Sequence, residues 1–185
     1  MMKNLKILLT ALFILSIYAC SSVTIKSDFD PEYDFSKFKT YRWATDDECN
    51  PNDELSSYPL VKKRAMAAID KALESKGFTK VEGKENADVV MVIHSTSKER
   101  MQVYNTGGGY YRGWYDPWWG PYGGSTTVSY YEEATLVVDM VSWKTKELAW
   151  RGMATGTVKQ NQNAEEQQAR LDDIAMRIFA KYPPK

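Results

Sequence analysis

The chain is 185 residues long and carries 24 Lys and Arg against 24 Asp and Glu, with 43% hydrophobic residues. That length suits one domain with a proper core. The even charge balance lacks the basic footprint of a nucleic-acid partner, and two cysteines are too few for a disulfide scaffold.

The first elements are an address. Lys3 and Lys6 precede an apolar run from Ile7 to Ala19 that ends at Cys20, the layout of a secretory signal. As a helix that run spans only about 20 Å, against ~30 Å for a bilayer core, so it reads as a signal rather than a span. Ile17-Tyr18-Ala19-Cys20 resembles the bacterial lipobox, with Tyr18 departing from the usual small or branched residue. The resemblance implies that residues 1–19 are a lipoprotein signal peptide and that cleavage leaves Cys20 as the N-terminus, carrying palmitate-type acyl chains that hold the protein on a membrane. Ser21 and Ser22 in place of Asp point to the outer membrane, and the missing acidic cluster points to its periplasmic side. The mature chain, 20–185, has a net charge near −2 because the signal removes two lysines. Cys49 is then the one free cysteine, and stability must come from the core.

A short tether leads into Val23–Phe29, where Val23, Ile25, Ser27 and Phe29 alternate as in a strand. Lys39–Ala44, rich in Thr, Tyr and Trp, is expected to be a second strand pairing with the first. Thr45–Ser57 is polar, acidic and proline-broken, and reads as an exposed loop. A helix follows, with a serine cap at Ser56 or Ser57, Pro59 in its first turn and Gly77 past its end. Its apolar stripe is Val61, Ala65, Ala68, Ile69, Ala72 and Leu73. Val89–Ile93 is continuously apolar, as in a central strand buried on both faces. It continues through Lys98–Tyr104 into a glycine-rich and aromatic segment, returns along Thr126–Val141, turns at Lys144-Thr145-Lys146 and runs back along Glu147–Val158. Asn163 and Glu166 have capping-box spacing and open a second helix whose stripe is Leu171, Ile174, Ala175, Ile178 and Tyr182, ahead of Pro183-Pro184. These elements predict a single α+β domain: a mostly antiparallel five-stranded sheet with two helices on one face.

Several segments also carry a family likeness. Asp28-Phe29-Asp30, DFSKFKTYRW at 34–43, Ala87-Asp88-Val89, LAWRG at 148–152 and Lys181-Tyr182-Pro183-Pro184 resemble the lipoproteins of domain-of-unknown-function family 4136 across essentially the whole mature chain. One departure is Ser142-Trp143, where the family pattern has an acidic residue opening the turn. The resemblance implies a bacterial envelope lipoprotein, and it brings no established activity or catalytic residues.

The residues offer no set of acid, base and nucleophile. His94, the single histidine, lies in the apolar central strand, and no HExxH, CxxC or GxSxG pattern accompanies it. It reads as a structural or surface residue. Asp46, Asp47, Glu48, Asp53 and Glu54 lack the glycine-turned spacing of a calcium loop, and Gly107, Gly109 and Gly113 lack that of a nucleotide loop. No catalytic residue, metal or cofactor is expected.

The conspicuous feature is 105–125, with seven glycines and seven aromatics. Tyr110, Tyr111, Trp114, Tyr115, Trp118, Trp119 and Tyr122, with Arg112, exceed the apolar patch a typical monomer leaves in water. Part of the segment is therefore expected to fold back as a lid on the helix-free face of the sheet, leaving the other rings as a contact surface. The expected role is a non-enzymatic envelope binding or assembly module that meets an envelope protein through aromatics and Arg. The alternative is a peptidoglycan or glycan binder that stacks sugars on the same rings, and contact with the membrane interface is a third class.

Overall fold

The computed structural model describes residues 23–45, 48, 53–83, 87–105, 126–159 and 161–184, with backbone alone at 103–105 and 126–128. Six strands, β1 (Thr24–Phe29), β2 (Thr40–Trp43), β3 (Thr79–Lys80), β4 (Val89–Asn105), β5 (Thr126–Ser142) and β6 (Leu148–Thr157), form one sheet in the order β1-β6-β5-β4-β2-β3. Two helices, α1 (Pro59–Ser75) and α2 (Ala164–Phe179), complete an α+β domain. Among the described residues no helix is long and apolar enough to cross a membrane.

The sheet has six strands and is mixed, which corrects the expected five-stranded, mostly antiparallel one. β4, β5, β6 and β1 run antiparallel in sequence of contact, as the long alternating segments predict. β2, however, does not pair with β1. It lies parallel to β4 on one side and to β3 on the other, at the opposite end of the sheet. The reason is the connection: β2 feeds α1, and a helix returning the chain to the same sheet makes a crossover whose strands run parallel. The two-residue β3 has no period from which a strand could be read.

Side chains fix this crossover. The Tyr41 hydroxyl and the Trp43 indole N–H both donate to one carboxylate oxygen of Asp70 on α1, each at 2.8 Å. Burial and the neighbouring Asp70 carboxylate push the Tyr41 phenol well above its ordinary range. Asp88, just before β4, accepts the backbone N–H groups of Lys39 and Thr40 at 2.9 and 2.8 Å and the Thr40 hydroxyl at 2.9 Å. Burial would raise the Asp88 pKa, but these donors outweigh it and the net direction is down.

α1 ends as its sequence predicts. Gly77 takes φ +84°, Gly77 N–H donates to Glu74 O at 2.9 Å and Phe78 N–H to Leu73 O at 3.1 Å, which is a Schellman closure. Its start differs. The N-cap is Tyr58 with no side-chain bond, while Ser56 and Ser57 sit in a 3₁₀ turn, Glu54–Ser57, that Asp53 caps. Pro59, favoured at a first helical position, sets the start of the helix there, so the cap position falls on Tyr58 rather than on Ser56 or Ser57. Leu55 in that turn is buried, so 45–57 is not wholly an exposed loop. α2 carries the complete Asn163–Glu166 capping box. It stops at Phe179, so Tyr182 belongs to the core but not to the helical stripe.

Both helices cover the face that bears Tyr41, Met91, Met140 and Trp150. Trp150 stacks on Phe179 with centroids 5.4 Å apart and meets Tyr182 edge-on at 5.7 Å. Tyr182 in turn touches Phe35 and Phe78 at 5.8 and 5.5 Å. Each such pair adds about 0.5–1.5 kcal/mol beyond the area it buries. Gly152, two residues on and facing the same way, makes room for the indole and for α2: a Cβ there would lie 2.5 Å from Trp150 Cη2 and closer still to Ile178 Cγ2. Gly152→Ala is therefore expected to lower unfolding stability by about 1–3 kcal/mol through overpacking, measured by urea denaturation. Gly156→Ala, whose Cβ would meet only Val23 Cγ2 at 3.0 Å as its nearest neighbour, should cost less; equal losses would contradict this account of α2 docking.

Candidate functional site

The register of the three long strands sorts side chains by size. On the helix-covered face the rows across β4, β5 and β6 are Met91–Met140–Trp150, Ile93–Val138–Gly152, Ser95–Leu136–Ala154 and Ser97–Ala134–Gly156. Bulk falls away toward the last two rows. A cleft of about 650 Å³ lies there, with Leu55 and Val61 on one wall, Leu171 and Ile174 on the other and Leu136 and Ala154 on its floor. Its volume falls within the range of small-ligand sites. Glu54, Glu132, Lys159 and Arg170 are among its polar lining residues. Asp53 holds one wall, its carboxylate accepting the N–H of Leu55 at 3.2 Å and of Ser95 at 2.9 Å. Arg170 holds the other, donating to Thr157 O at 2.6 Å.

Beyond Glu133, the last β5 residue paired to β6, β4 and β5 continue as a ribbon of seven further pairs, Glu99↔Glu132 to Asn105↔Thr126. At ~3.3 Å per residue it extends about 23 Å past the sheet. Met101 and Tyr130 face each other across it and are 61% and 70% exposed.

The helix-free face is polar toward its β2 side. Arg42, almost fully buried, grips Glu48 with two nitrogens at 2.7 Å each, and its guanidinium lies 4.9 Å from the centroid of Trp143, over which Lys146 also sits. Glu48 also accepts the N–H and hydroxyl of Thr45, both at 3.0 Å. The Arg42 guanidinium, then these Thr45 donors, hold the Glu48 carboxyl far below the usual carboxylate range. Across the sheet Arg151 makes a two-point pair with the buried Asp139, at 2.6 Å twice. At the β5–β6 turn the Ser142 hydroxyl accepts the Thr145 N–H at 3.3 Å.

The model of a domain of unknown function, DUF4136, matches residues 25–184. The chain belongs to the DUF4136 family. No curated protein matches it. A crystal structure of a PDZ domain protein from Parabacteroides distasonis shares its fold, with a TM-score of 0.54 at 11% identity over 88% of this chain. This chain spans 36% of that one, about a third of its length. A DUF4136 family protein from Bacteroides thetaiotaomicron gives a TM-score of 0.48 at 18% identity, covering 89% of this chain and 97% of its own. PelC from Paraburkholderia phytofirmans, solved as a dodecamer, gives 0.43 at 8% identity, covering 85% and 95%.

Of the residues singled out in the sequence, Cys20, Tyr110, Tyr111, Arg112, Trp114, Tyr115, Trp118, Trp119 and Tyr122 lie outside the described residues, as do Asp46, Asp47 and Cys49. The expected lid falls there too. What is described is its root, where Asn105 pairs with Thr126, thirteen positions beyond Val92 of the helix-free face and about 43 Å from it at ~3.3 Å per residue. His94 is half-buried opposite Val137. Asp53 and Glu48 are occupied by the backbone and by Arg42, and among the described residues no group of three or more His, Cys, Asp or Glu is placed to hold a metal ion. The cleft and Tyr130 were not singled out.

The Glu48 pair of this DUF4136 domain sets a pH dependence. Its pKa is depressed on folding, so its contribution is present above the unfolded value of about 4.3 and is lost as pH falls below it. Urea titrations from pH 7 down to pH 3 are expected to show stability falling with acid. Glu48→Gln should flatten the slope and cost about 1–3 kcal/mol at pH 7, where Arg42 loses its charged acceptor. An unchanged slope would remove Glu48 from this role.

Proposed function

We propose that this DUF4136 protein is an outer-membrane lipoprotein on the periplasmic side, anchored through acylated Cys20, and that it serves as a non-enzymatic binding or assembly module of the envelope. The observation that carries the reading is the ribbon. A two-stranded arm that leaves the sheet with Met101 and Tyr130 in solvent presents an apolar and aromatic surface of the kind that protein interfaces bury. It also carries 106–125, with its tyrosines, tryptophans and Arg112, at its far end. Trp, Tyr and Arg are the residues on which interface energy concentrates, and acyl chains on Cys20 would confine the arm to the space beside the membrane.

Two experiments test the two halves. Metabolic labelling with an alkyne fatty acid is expected to mark the wild-type chain and not Cys20→Ala, which should leave the membrane fraction; a Cys20→Ala chain that stays membrane-bound would end the anchor reading. A photoreactive residue at Tyr130 or at Trp118 should capture the same discrete envelope protein in cells, while one at Lys26 on the far sheet edge should not. Peptidoglycan adducts alone would shift the assignment to a glycan binder, and identical capture from Lys26 would overturn the arm.

A further inference from the structure

The cleft beneath the helices has a wall that the proposed arm does not use. Val23, the first described residue, lines it. Val23 lies where Gly156 offers no side chain, so closely that a Cβ on Gly156 would be 3.0 Å from Val23 Cγ2. Arg177 on α2 fixes this point by donating to Val23 O at 2.7 Å. Cys20 is three residues earlier, and three residues reach at most about 11 Å. Whatever is attached to Cys20 therefore starts within about 11 Å of an apolar hollow of about 650 Å³.

We propose that the cleft between α1, α2 and the Ser97–Ala134–Gly156 end of the sheet takes one acyl chain of the protein's own Cys20 lipid. The proposal rests on the lipoprotein reading above. Three features point to an alkyl chain as occupant. The interior is apolar, from Leu55, Val61, Leu136, Ala154, Leu171 and Ile174. The strand residues that leave the space, Ser95, Ser97, Ala134, Ala154 and Gly156, are small. The charged lining residues, Arg170 and Lys159 with Glu54 and Glu132, suit the headgroup end of a chain rather than its tail. A tether of three residues also gives an attached chain an effective concentration in the millimolar range, far above that of free lipid. An occupied cleft would hold the domain close to the membrane, with the start of β1 toward the anchor.

The test uses the mature chain, 20–185, which contains every described element, with Cys49→Ser so that Cys20 is the one thiol. cis-Parinaric acid, a fluorescent fatty acid, is the probe. The unmodified chain is expected to bind it saturably at one site. Attaching a hexadecyl group to Cys20 with hexadecylmaleimide should reduce probe binding at least tenfold, whereas the Cys20→Ser chain alkylated at Cys49 should bind as before. Ser97→Phe should reduce binding of the unmodified chain at least tenfold by filling the cleft, and Ala134→Leu serves the same purpose if Ser97→Phe does not fold. Absence of saturable binding by the unmodified chain, or probe binding unchanged after alkylation at Cys20, would overturn the proposal. Because the alkyl chain is attached chemically, the result is independent of whether cells acylate Cys20.

Discussion

The antiparallel register of β4, β5 and β6 is the constraint on which the other features depend. It aligns Met91, Met140 and Trp150 in one row and Ser97, Ala134 and Gly156 in another, three rows away on the same face. The helices dock where the rows are bulky, with Gly152 admitting Ile178 beside the Trp150 ring. A slip of one residue would bring the Asp139–Arg151 pair to the helix side and send the core row to the other. That alternative is strongly disfavoured, because an ion pair would be desolvated under the helices while Trp150 was exposed. Register therefore fixes helix docking, the hollow and the starting point of the ribbon together.

The second organising element is the crossover at the other side of the sheet. Asp70 satisfies two side-chain donors from one strand, Tyr41 and Trp43, and Lys80 of β3 reaches its other oxygen at 2.8 Å. One carboxylate thus gathers β2, α1 and β3. Asp88 does the same for the backbone leading into β2. These acids hold the parallel part of the sheet where only short ladders exist, three pairs between β2 and β4 and two between β2 and β3.

Much of this was legible one element at a time. Alternation in Val23–Phe29, the apolar run Val89–Ile93, the Gly77 stop and the Asn163–Glu166 box each report a local conformation, and each element stands where they place it. Alternation reports which face a residue takes, however, and not which strand lies beside it. That is why the pattern of Lys39–Ala44 suggests β1 as a partner, although the crossover through α1 sets β2 beside β4. The serine cap differs for a related reason: Pro59 sets the helix start so that the cap position is Tyr58, and the two serines belong to the preceding turn that Asp53 caps. The cleft escaped because Ser95, Ser97, Ala134 and Gly156 are unremarkable individually. Their meaning appears only when the strands are aligned by register, which sets small residues of three neighbouring strands side by side. The aromatic segment had the opposite character: its composition was conspicuous, and its residues lie outside those described.

The ribbon sets an energetic condition on anything that binds there. Two strands without a third neighbour are marginal in water, and cross-strand pairs such as Met101–Tyr130 or the Arg100–Glu133 contact at 3.3 Å contribute only about 0.2–1 kcal/mol each. Order along the arm is therefore lent chiefly by its root, where β6 and the helices hold Glu133 and the rows before it. Stability should fall with distance from the sheet, as it does wherever buried contacts thin out. A partner that buried Met101 and Tyr130 would add a third surface to the two strands and stabilise the outer pairs along with its own contacts. Affinity at the arm and order within it would then be two measures of one coupling, reduced together by weakening the ribbon's cross-strand pairs.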